Sequence, residues 1–286
     1  MPNVITSGGV VLSVGGIITN RGGIINNRGG VILTSGLDPD AAAYIAAIRA
    51  TGATVDSNQV GEINTFYKAA KTGGYYTSLK RLYLPIWGVA AANAIDLITG
   101  ASGTFNGGVT HGAGFIQSDG TTGYFALQGN PNALEMTSGS AFAVSLVYTN
   151  ETTSSSEVLI GGQDGAGASF SIIQNSHIYD IGDEAVNRFS DSSPSFAGIY
   201  LLTKVGSNAV VNKRVAAGFS IFTSQTSAPA GTLPTSMTAP GRNGTVPGDN
   251  KYGAYGIGTG LAQPEAESFT LALKTLWENC TSLTLA

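Results

Sequence analysis

The residues best suited to acid–base or metal chemistry form one short acidic cluster, Asp180-Ile181-Gly182-Asp183-Glu184. A retaining glycosidase needs two carboxyl groups about 5–5.5 Å apart. The Glu-x-Asp-x-x-Glu arrangement typical of β-sandwich glycosidases is absent from the sequence. Asp180 and Asp183 do not share a strand face, and Glu184 follows a glycine turn. We predict a solvated hairpin turn without catalysis, while the three oxygen-bearing side chains leave Ca²⁺ binding open.

Other catalytic and metal-binding patterns are incomplete. His111, His177 and the single cysteine, Cys280, have no spacing that completes a tetrahedral zinc site. The serine-rich stretches lack the G-x-S-x-G form of a nucleophile elbow. The glycine-rich run 161–167 is not followed by the Lys-Ser/Thr of a phosphate loop. We therefore predict no catalytic residue, no cofactor and no metal ligand.

Carbohydrate binding is the functional alternative that the residue types support. A sugar site needs an aromatic ring for stacking beside amide and carboxylate partners for hydroxyl groups. Residues of these types stand on or near predicted loops: Trp87, Asp119, Tyr124, Gln163, Asp164 and His177. Aromatic side chains of sandwiches more often pack inside the fold, and spacing alone brings no two of these residues together. We assign none of them to a site.

The composition indicates the class of secondary structure that carries these residues. Only 11% of the 286 residues are charged, 40 are glycine and 42% are hydrophobic. Glycine costs about 1 kcal/mol per helical position, and few charges are available for ion pairs along a helix, so helical bundles are excluded. The hydrophobic fraction is too high for a disordered chain. An all-β protein with many turns remains.

Charge and targeting patterns limit the partners. Fourteen basic and eighteen acidic residues give a net charge of −4, without a basic stripe for nucleic acid. No signal-peptide pattern opens the sequence, and no long apolar stretch follows, so we expect no membrane insertion. One cysteine permits no internal disulfide, which is typical of synthesis in a reducing cytoplasm. We expect release from that cytoplasm by lysis.

Residues 1–36 contain an internal repeat. Glycine pairs at 8–9, 15–16, 22–23 and 29–30 recur every seven residues, each followed by β-branched residues. This pattern favours short strands separated by turns. Strands this short bury too little to stand alone, so the repeat predicts either a β-solenoid with three sides per coil or arms from several subunits that wind together. We interpret the segment as an assembly arm, with a homotrimer as the first expectation.

Helical patterns flank the β-rich region. We predict a small helical subdomain over 37–84, with helices at 41–50 and from Asp56 to Gly73 and a short helical turn at 76–83. A C-terminal helix over about 264–280 carries Phe269, Leu273 and Trp277 on one face.

Short β-rich runs alternate with Gly, Ser, Thr and Asn turns between residues 84 and 255. The run 142–148 alternates large with small side chains, as expected for a half-buried sandwich strand. The stretch 224–250 has several prolines and no strong pattern, so we predict a long loop. Regular turns without intervening helices indicate an antiparallel sandwich over 85–286 that includes the C-terminal helix.

Several segments resemble a group of bacteriophage and prophage structural proteins. They are Asp38-Pro39-Asp40-Ala41, residues 64–71, Leu79–Pro85, Phe105–His111, Ser118–Tyr124 and Ile257–Leu261 before Pro264-Glu265. The resemblance covers roughly residues 37–280. In that group the corresponding lead-in precedes a concanavalin A-like, laminin-G-type jelly roll, so the resemblance implies this fold.

The resemblance also implies a non-catalytic virion component, either a tail fibre, spike or collar subunit or a capsid decoration protein. Its partners would be other virion proteins and copies of itself, and it would be located in the virion. The alternative is a carbohydrate-binding receptor-recognition module of the same particle that contacts a host surface glycan. A glycan hydrolase is the more distant alternative.

Overall fold

The computed structural model describes residues 18–19, 32–33, 36–149, 157–165, 167–174, 178–190, 197–215, 220–245 and 248–285. The chain divides into two compact units, residues 1–39 and 40–286. In the first unit, strands β1 (Ile18–Thr19) and β2 (Ile32–Leu33) pair in parallel. The pairing of Ile18 with Ile32 spans 14 residues, which equals two heptads, whereas a three-sided coil would require three. The rest of the predicted arm lies outside the described residues.

The remaining helices and strands follow in chain order: α1 Pro39–Ala50, α2 Ser57–Thr72, β3 Leu79–Tyr83, α3 Ala90–Asn93, β4 Thr104–Asn106, β5 Val109–Gly112, β6 Phe115–Ser118, β7 Tyr124–Ala126, β8 Ser140–Thr149, β9 Val158–Gln163, β10 Ser169–Ile173, β11 Ile178–Gly182, β12 Arg188–Ser190, β13 Gly198–Val205, β14 Asn208–Val215, β15 Ser220–Thr226, β16 Thr238–Ala239, β17 Lys251–Gly258 and α4 Gln263–Thr281. Short 3₁₀ turns occupy Tyr76–Ser78 and Pro131–Leu134.

These strands form two antiparallel sheets. One has seven strands in the order β12-β11-β10-β9-β16-β7-β4. The other runs β15-β14-β13-β8-β17-β6-β5, and β3 adds to it beside β17. Aromatic and aliphatic side chains from both sheets form one core cluster, which includes Phe125, Phe170, Tyr200 and Tyr255. The predicted concanavalin A-like jelly-roll sandwich is therefore confirmed.

Helices α2 and α4 pack against each other, and α4 covers the outer face of the eight-stranded sheet. Phe142 of β8 meets Phe269 of α4 at a ring-centroid distance of 5.6 Å. The Asp56 side chain caps the N-terminus of α2, as its position before the helix predicts. Among the described residues, no helix is long and apolar enough to cross a membrane.

Two local predictions are wrong. Residues 79–83 form strand β3 rather than a helical turn, because Leu82 and Tyr83 pair with Gly256 and Tyr255 of β17. The predicted loop 224–250 contains the end of β15 and all of β16. Strands β3 and β16 lack a local signal, since their hydrogen-bond partners lie far away in the sequence. The division of the second unit at residue 84 stays a prediction.

The indole of Trp277 joins α4 to the sandwich. It is fully buried, its Nε1 donates to the carbonyl of Gly114 at 2.8 Å, and its ring packs on Tyr148. A Cβ at Gly253 would lie 2.2 Å from Nε1, so the close approach of β17 requires glycine there. The predicted apolar face of the C-terminal helix is confirmed, because Phe269, Leu273 and Trp277 are all buried.

We expect Trp277→Ala to lower the free energy of unfolding by about 3–5 kcal/mol, because it empties a buried volume and leaves the Gly114 carbonyl unpaired. Leu271→Ala, on the same helix but 51% exposed, is the matched control. Its effect should stay within about 0.5 kcal/mol. Urea denaturation followed by circular dichroism measures both, and equal midpoints would contradict this packing.

Candidate functional site

One face of the seven-stranded sheet carries a continuous row of small and polar side chains. The strand registers place one residue of each strand opposite the next: Thr104, Ala126, Thr238, Gly161, Ser171, Asp180 and Arg188. Their strand neighbours Phe125, Phe170 and Tyr179 belong to the core. Since side chains alternate along a strand, the row lies on the outer face, and we call it the outer row.

The acidic cluster lies at one end of the outer row. Asp180 is fully buried in β11 and accepts from Arg188 through both carboxylate oxygens, at 2.7 and 3.0 Å, and from Ser171 Oγ at 3.1 Å. Arg188 also pairs with Glu184 at 2.8 Å. The hydrogen bond to Asp180 raises the pKa of Arg188. Two carboxylates therefore neutralise one guanidinium.

The prediction of a solvated turn thus fits Glu184 and Asp183 but is wrong for Asp180. The Asp183 carboxylate accepts from the backbone N–H of Ala185 at 2.9 Å, which is an ordinary Asx turn. Among the described residues, no group of three or more His, Cys, Asp or Glu side chains could hold a metal ion. The turn therefore stabilises the β11–β12 connection.

The segment 241–245 folds across the middle of the outer row. The Thr238 hydroxyl donates to the Gly241 carbonyl and accepts from the Gly244 N–H, at 3.0 and 3.2 Å. The side chain of Asn243 bonds to both backbone groups of Gln163. Gly244 lies against the Tyr124 ring, where a Cβ would be 2.7 Å from Cε1. The segment therefore links Tyr124 of β7 with Gln163 of β9.

Two polar side chains at this segment, one beside it and one within it, have no hydrogen-bond or ion-pair partner among the described residues. The Tyr124 hydroxyl and the Arg242 guanidinium form no hydrogen bond or ion pair within the described part of the chain. Both residues are half-buried. The backbone of Arg242 bridges to that of Gly161 in the outer row. The segment thus carries a guanidinium and packs against a phenol on the same sheet.

The Asp119 carboxylate, in contrast, accepts hydrogen bonds within its own turn. Its carboxylate accepts from the backbone N–H groups of Thr121, Thr122 and Gly123 and from the Thr122 hydroxyl, at 2.6–2.9 Å. These hydrogen bonds, that from the Thr122 side chain above all, hold the pKa of Asp119 well below its usual range. The Asp-Gly turn orients the start of β7, and hence Tyr124.

Of the other residues whose types suit sugar binding, Trp87 and Asp164 are hydrogen-bonded to structural partners. The Trp87 indole donates to the Tyr44 hydroxyl, and its backbone N–H donates to Asn93. Asn93 is also hydrogen-bonded to His111, and burial lowers the pKa of that histidine. Asp164 accepts from the Thr235 N–H at 2.6 Å. His177 lies outside the described residues.

A buried polar cluster between the sheets has no signal in the sequence. Glu157 accepts from Asn250 at 2.8 Å and from the Tyr252 hydroxyl, and Asn250 also donates to Gln174 at 2.8 Å. Glu157, Asn250 and Tyr252 are fully buried. Burial and the Glu157 charge raise the pKa of Tyr252 well above 10, so its phenol remains a donor. The pair acts as a structural hydrogen bond rather than an activated nucleophile.

No protein-family model matches the sequence, and no curated protein matches it. Three solved structures illustrate the similarity that the fold shows. The binding domain of Paraclostridial Mosquitocidal Protein 1 is 12% identical with a TM-score of 0.50, and the match covers 69% of this chain and 52% of that one. Domain 4 of the GH43 arabinanase AbnA from Geobacillus stearothermophilus, in complex with arabinotriose, is 12% identical with a TM-score of 0.47, and the match covers 68% of this chain and 98% of that one. Trypanosoma rangeli sialidase is 12% identical with a TM-score of 0.42, and the match covers 75% of this chain and 39% of that one.

These similarities concern the fold. The chain spans 39% of the sialidase and about half of the mosquitocidal binding domain. At 12% identity and a TM-score of 0.50, the similarity to the mosquitocidal binding domain supports a β-sandwich and carries no function across. The predicted phage relationship finds no counterpart among them and stays a prediction.

We expect Asp180→Ala to lower the free energy of unfolding by about 1–3 kcal/mol, because it removes a bidentate partner of Arg188 at a buried position. Asp183→Asn and Glu184→Gln should each cost less than about 0.5–1 kcal/mol, since both side chains are partly exposed and the pair of Glu184 with Arg188 is solvated. Chemical denaturation ranks the three variants. A larger loss for Asp183→Asn than for Asp180→Ala would contradict these roles.

Proposed function

We propose that residues 40–286 form a non-catalytic carbohydrate-binding module that recognises a glycan on the outer face of the seven-stranded sheet. The observation that carries this proposal is a pair of polar groups without a hydrogen-bond partner in the described part of the chain: the phenol of Tyr124, against which the 241–245 segment packs, and the guanidinium of Arg242, which belongs to that segment. An aromatic ring with adjacent hydrogen-bond donors is the combination that sugars require. Hydrogen bonds to Thr238 and Gln163 hold the segment on the sheet, so the surface is preformed.

The carboxylates support a binding role over a hydrolytic one. Asp180, Asp119 and Asp164 each accept hydrogen bonds from fixed structural donors. Glu157 is fully buried beside Asn250. Hydrolysis of a glycosidic bond needs two carboxyl groups facing the same sugar, whereas each of these four carboxyl groups accepts hydrogen bonds from other groups of the fold. A reducing-sugar assay on bound glycans should therefore detect no release.

We propose further that this module is carried by a bacteriophage particle as a tail fibre, spike, collar or capsid decoration subunit. The support is the resemblance of residues 37–280 and the heptad repeat of the first unit, in which β1 and β2 pair. Such short strands offer unpaired edges to other chains. A homotrimer joined through the arm, or attachment to other virion proteins, satisfies those edges.

Screening the protein on a glycan array identifies a ligand, and isothermal titration then measures its Kd. We expect Tyr124→Ala and Arg242→Ala each to raise the Kd about tenfold or more, since loss of such a contact costs about 1.5–3 kcal/mol. Leu271→Ala, on the helical layer, should bind like the unaltered protein. Equal affinities for all three variants would contradict the proposed face, and a featureless array would contradict carbohydrate binding.

Deletion of residues 1–36 should leave a folded protein with a smaller oligomeric mass, because residues 40–286 form a compact unit with their own core. Light scattering coupled to size-exclusion chromatography compares the two proteins. The same number of subunits in both would remove the assembly role from the arm.

A further inference from the structure

Lys204 is a lysine in an unusual place. It faces inward from β13, opposite Ala141 of β8, and it is 0% exposed. Its Nζ lies 2.7 Å from Asn187 Oδ1, 3.1 Å from Ser227 Oγ and 3.4 Å from the carbonyl of Ala228. The Phe189 ring lies 6.0 Å away. Every one of these neighbours is neutral.

A buried ammonium group is costly unless a carboxylate compensates it. No acidic side chain pairs with Lys204 in the described part of the chain. Burial lowers the pKa of Lys204, so its neutral amine forms more easily than that of an exposed lysine. A desolvated neutral lysine is a nucleophile.

Asn187 presents a fixed and polarised carbonyl to that amine. Its side chain is fully buried, and Oδ1 accepts from both Lys204 Nζ and the Ser227 hydroxyl, the latter at 2.7 Å. The Nδ2 group donates to the Ala230 carbonyl at 3.3 Å. The backbone N–H of Asn187 is held by the Asp183 carbonyl at 2.7 Å. When Nζ leaves its hydrogen bond to Oδ1 to attack the carbon, the Ser227 hydroxyl remains a donor to the oxygen and stabilises the negative charge that develops there.

We propose that Lys204 and Asn187 join in an intramolecular amide bond with loss of ammonia. The Nζ lone pair attacks Cγ of Asn187, and the Cγ–Nδ2 bond then breaks. One Nζ proton is transferred to the departing Nδ2 group, which leaves as NH₃. The Ser227 hydroxyl accepts from Nζ and donates to Oδ1, so it can take up the Nζ proton while it passes its own proton to Oδ1, from which a proton moves to Nδ2 on the same carbon as the Cγ–Nδ2 bond breaks. No oxidant, reductant or metal is required.

The product would be a covalent cross-link between the two sheets. Lys204 belongs to the eight-stranded sheet, and Asn187 precedes the edge strand β12 of the seven-stranded sheet. The amide would close a loop that contains all of β12 and most of β13. A cross-link of this kind restricts the unfolded chain, as a disulfide does, but resists reducing agents.

Mass spectrometry of the intact full chain in denaturant tests this proposal. We expect a mass about 17 Da below that calculated from the sequence, which corresponds to loss of one ammonia in an amide-forming attack by lysine. Proteolysis should yield a branched peptide that joins the Asn187 and Lys204 segments. Asn106 and Asn243, each followed by glycine, could lose ammonia through a succinimide, but that product is not branched.

Asn187→Ala and Lys204→Met are the matched variants, and both should retain the full calculated mass. Lys80→Arg, at an exposed ion pair, should still lose about 17 Da relative to its own sequence, because its interior is unchanged. The full calculated mass in folded unaltered protein would overturn the proposal, whether or not the variants fold. A mass loss without a branched peptide would overturn it equally.

Discussion

The hydrogen bonding of strand β17 is the constraint on which the rest of the second unit depends. One edge of β17 pairs with β8 along its length. The other edge is shared, because Lys251 and Tyr252 pair with β6 while residues 255–258 pair with β3. This single strand therefore holds together the middle of the eight-stranded sheet, the strand that follows the first helices and the helix α4 that comes after it.

Close packing around β17 explains its composition. The sequence Lys-Tyr-Gly-Ala-Tyr-Gly-Ile-Gly alternates between large residues that fill the core and glycines where other groups press against the backbone. A Cβ at Gly256 would lie 2.5 Å from the Arg81 carbonyl, and one at Gly258 would lie 2.0 Å from the Ser78 carbonyl. The rigid sheet in turn orients Tyr252 toward Glu157. The hydrogen bond between Tyr252 and Glu157 is thus a consequence of the β17 register.

Local patterns in the sequence predict the elements whose signals are local. The cap at Asp56, the apolar face of α4 and most strands of the sandwich belong to this class. Strand β3 and the two-residue strand β16 escape prediction because tertiary pairing alone defines them. The Glu157 and Lys204 clusters could not be predicted from the sequence for the same reason, because their partners come from different strands. Tyr124 and Gln163 were identified by residue type, but only the fold shows that one short segment links them.

Binding of a glycan by the outer face of the seven-stranded sheet is the central claim. The most direct measurement is a nuclear magnetic resonance titration of the isotope-labelled protein with a glycan selected on an array. We expect the shifted backbone amides to cluster around Tyr124, Gln163 and the 241–245 segment, while those of α2 and α4 stay in place. Shifts confined to the helical layer, or no shifts at saturating glycan, would contradict it.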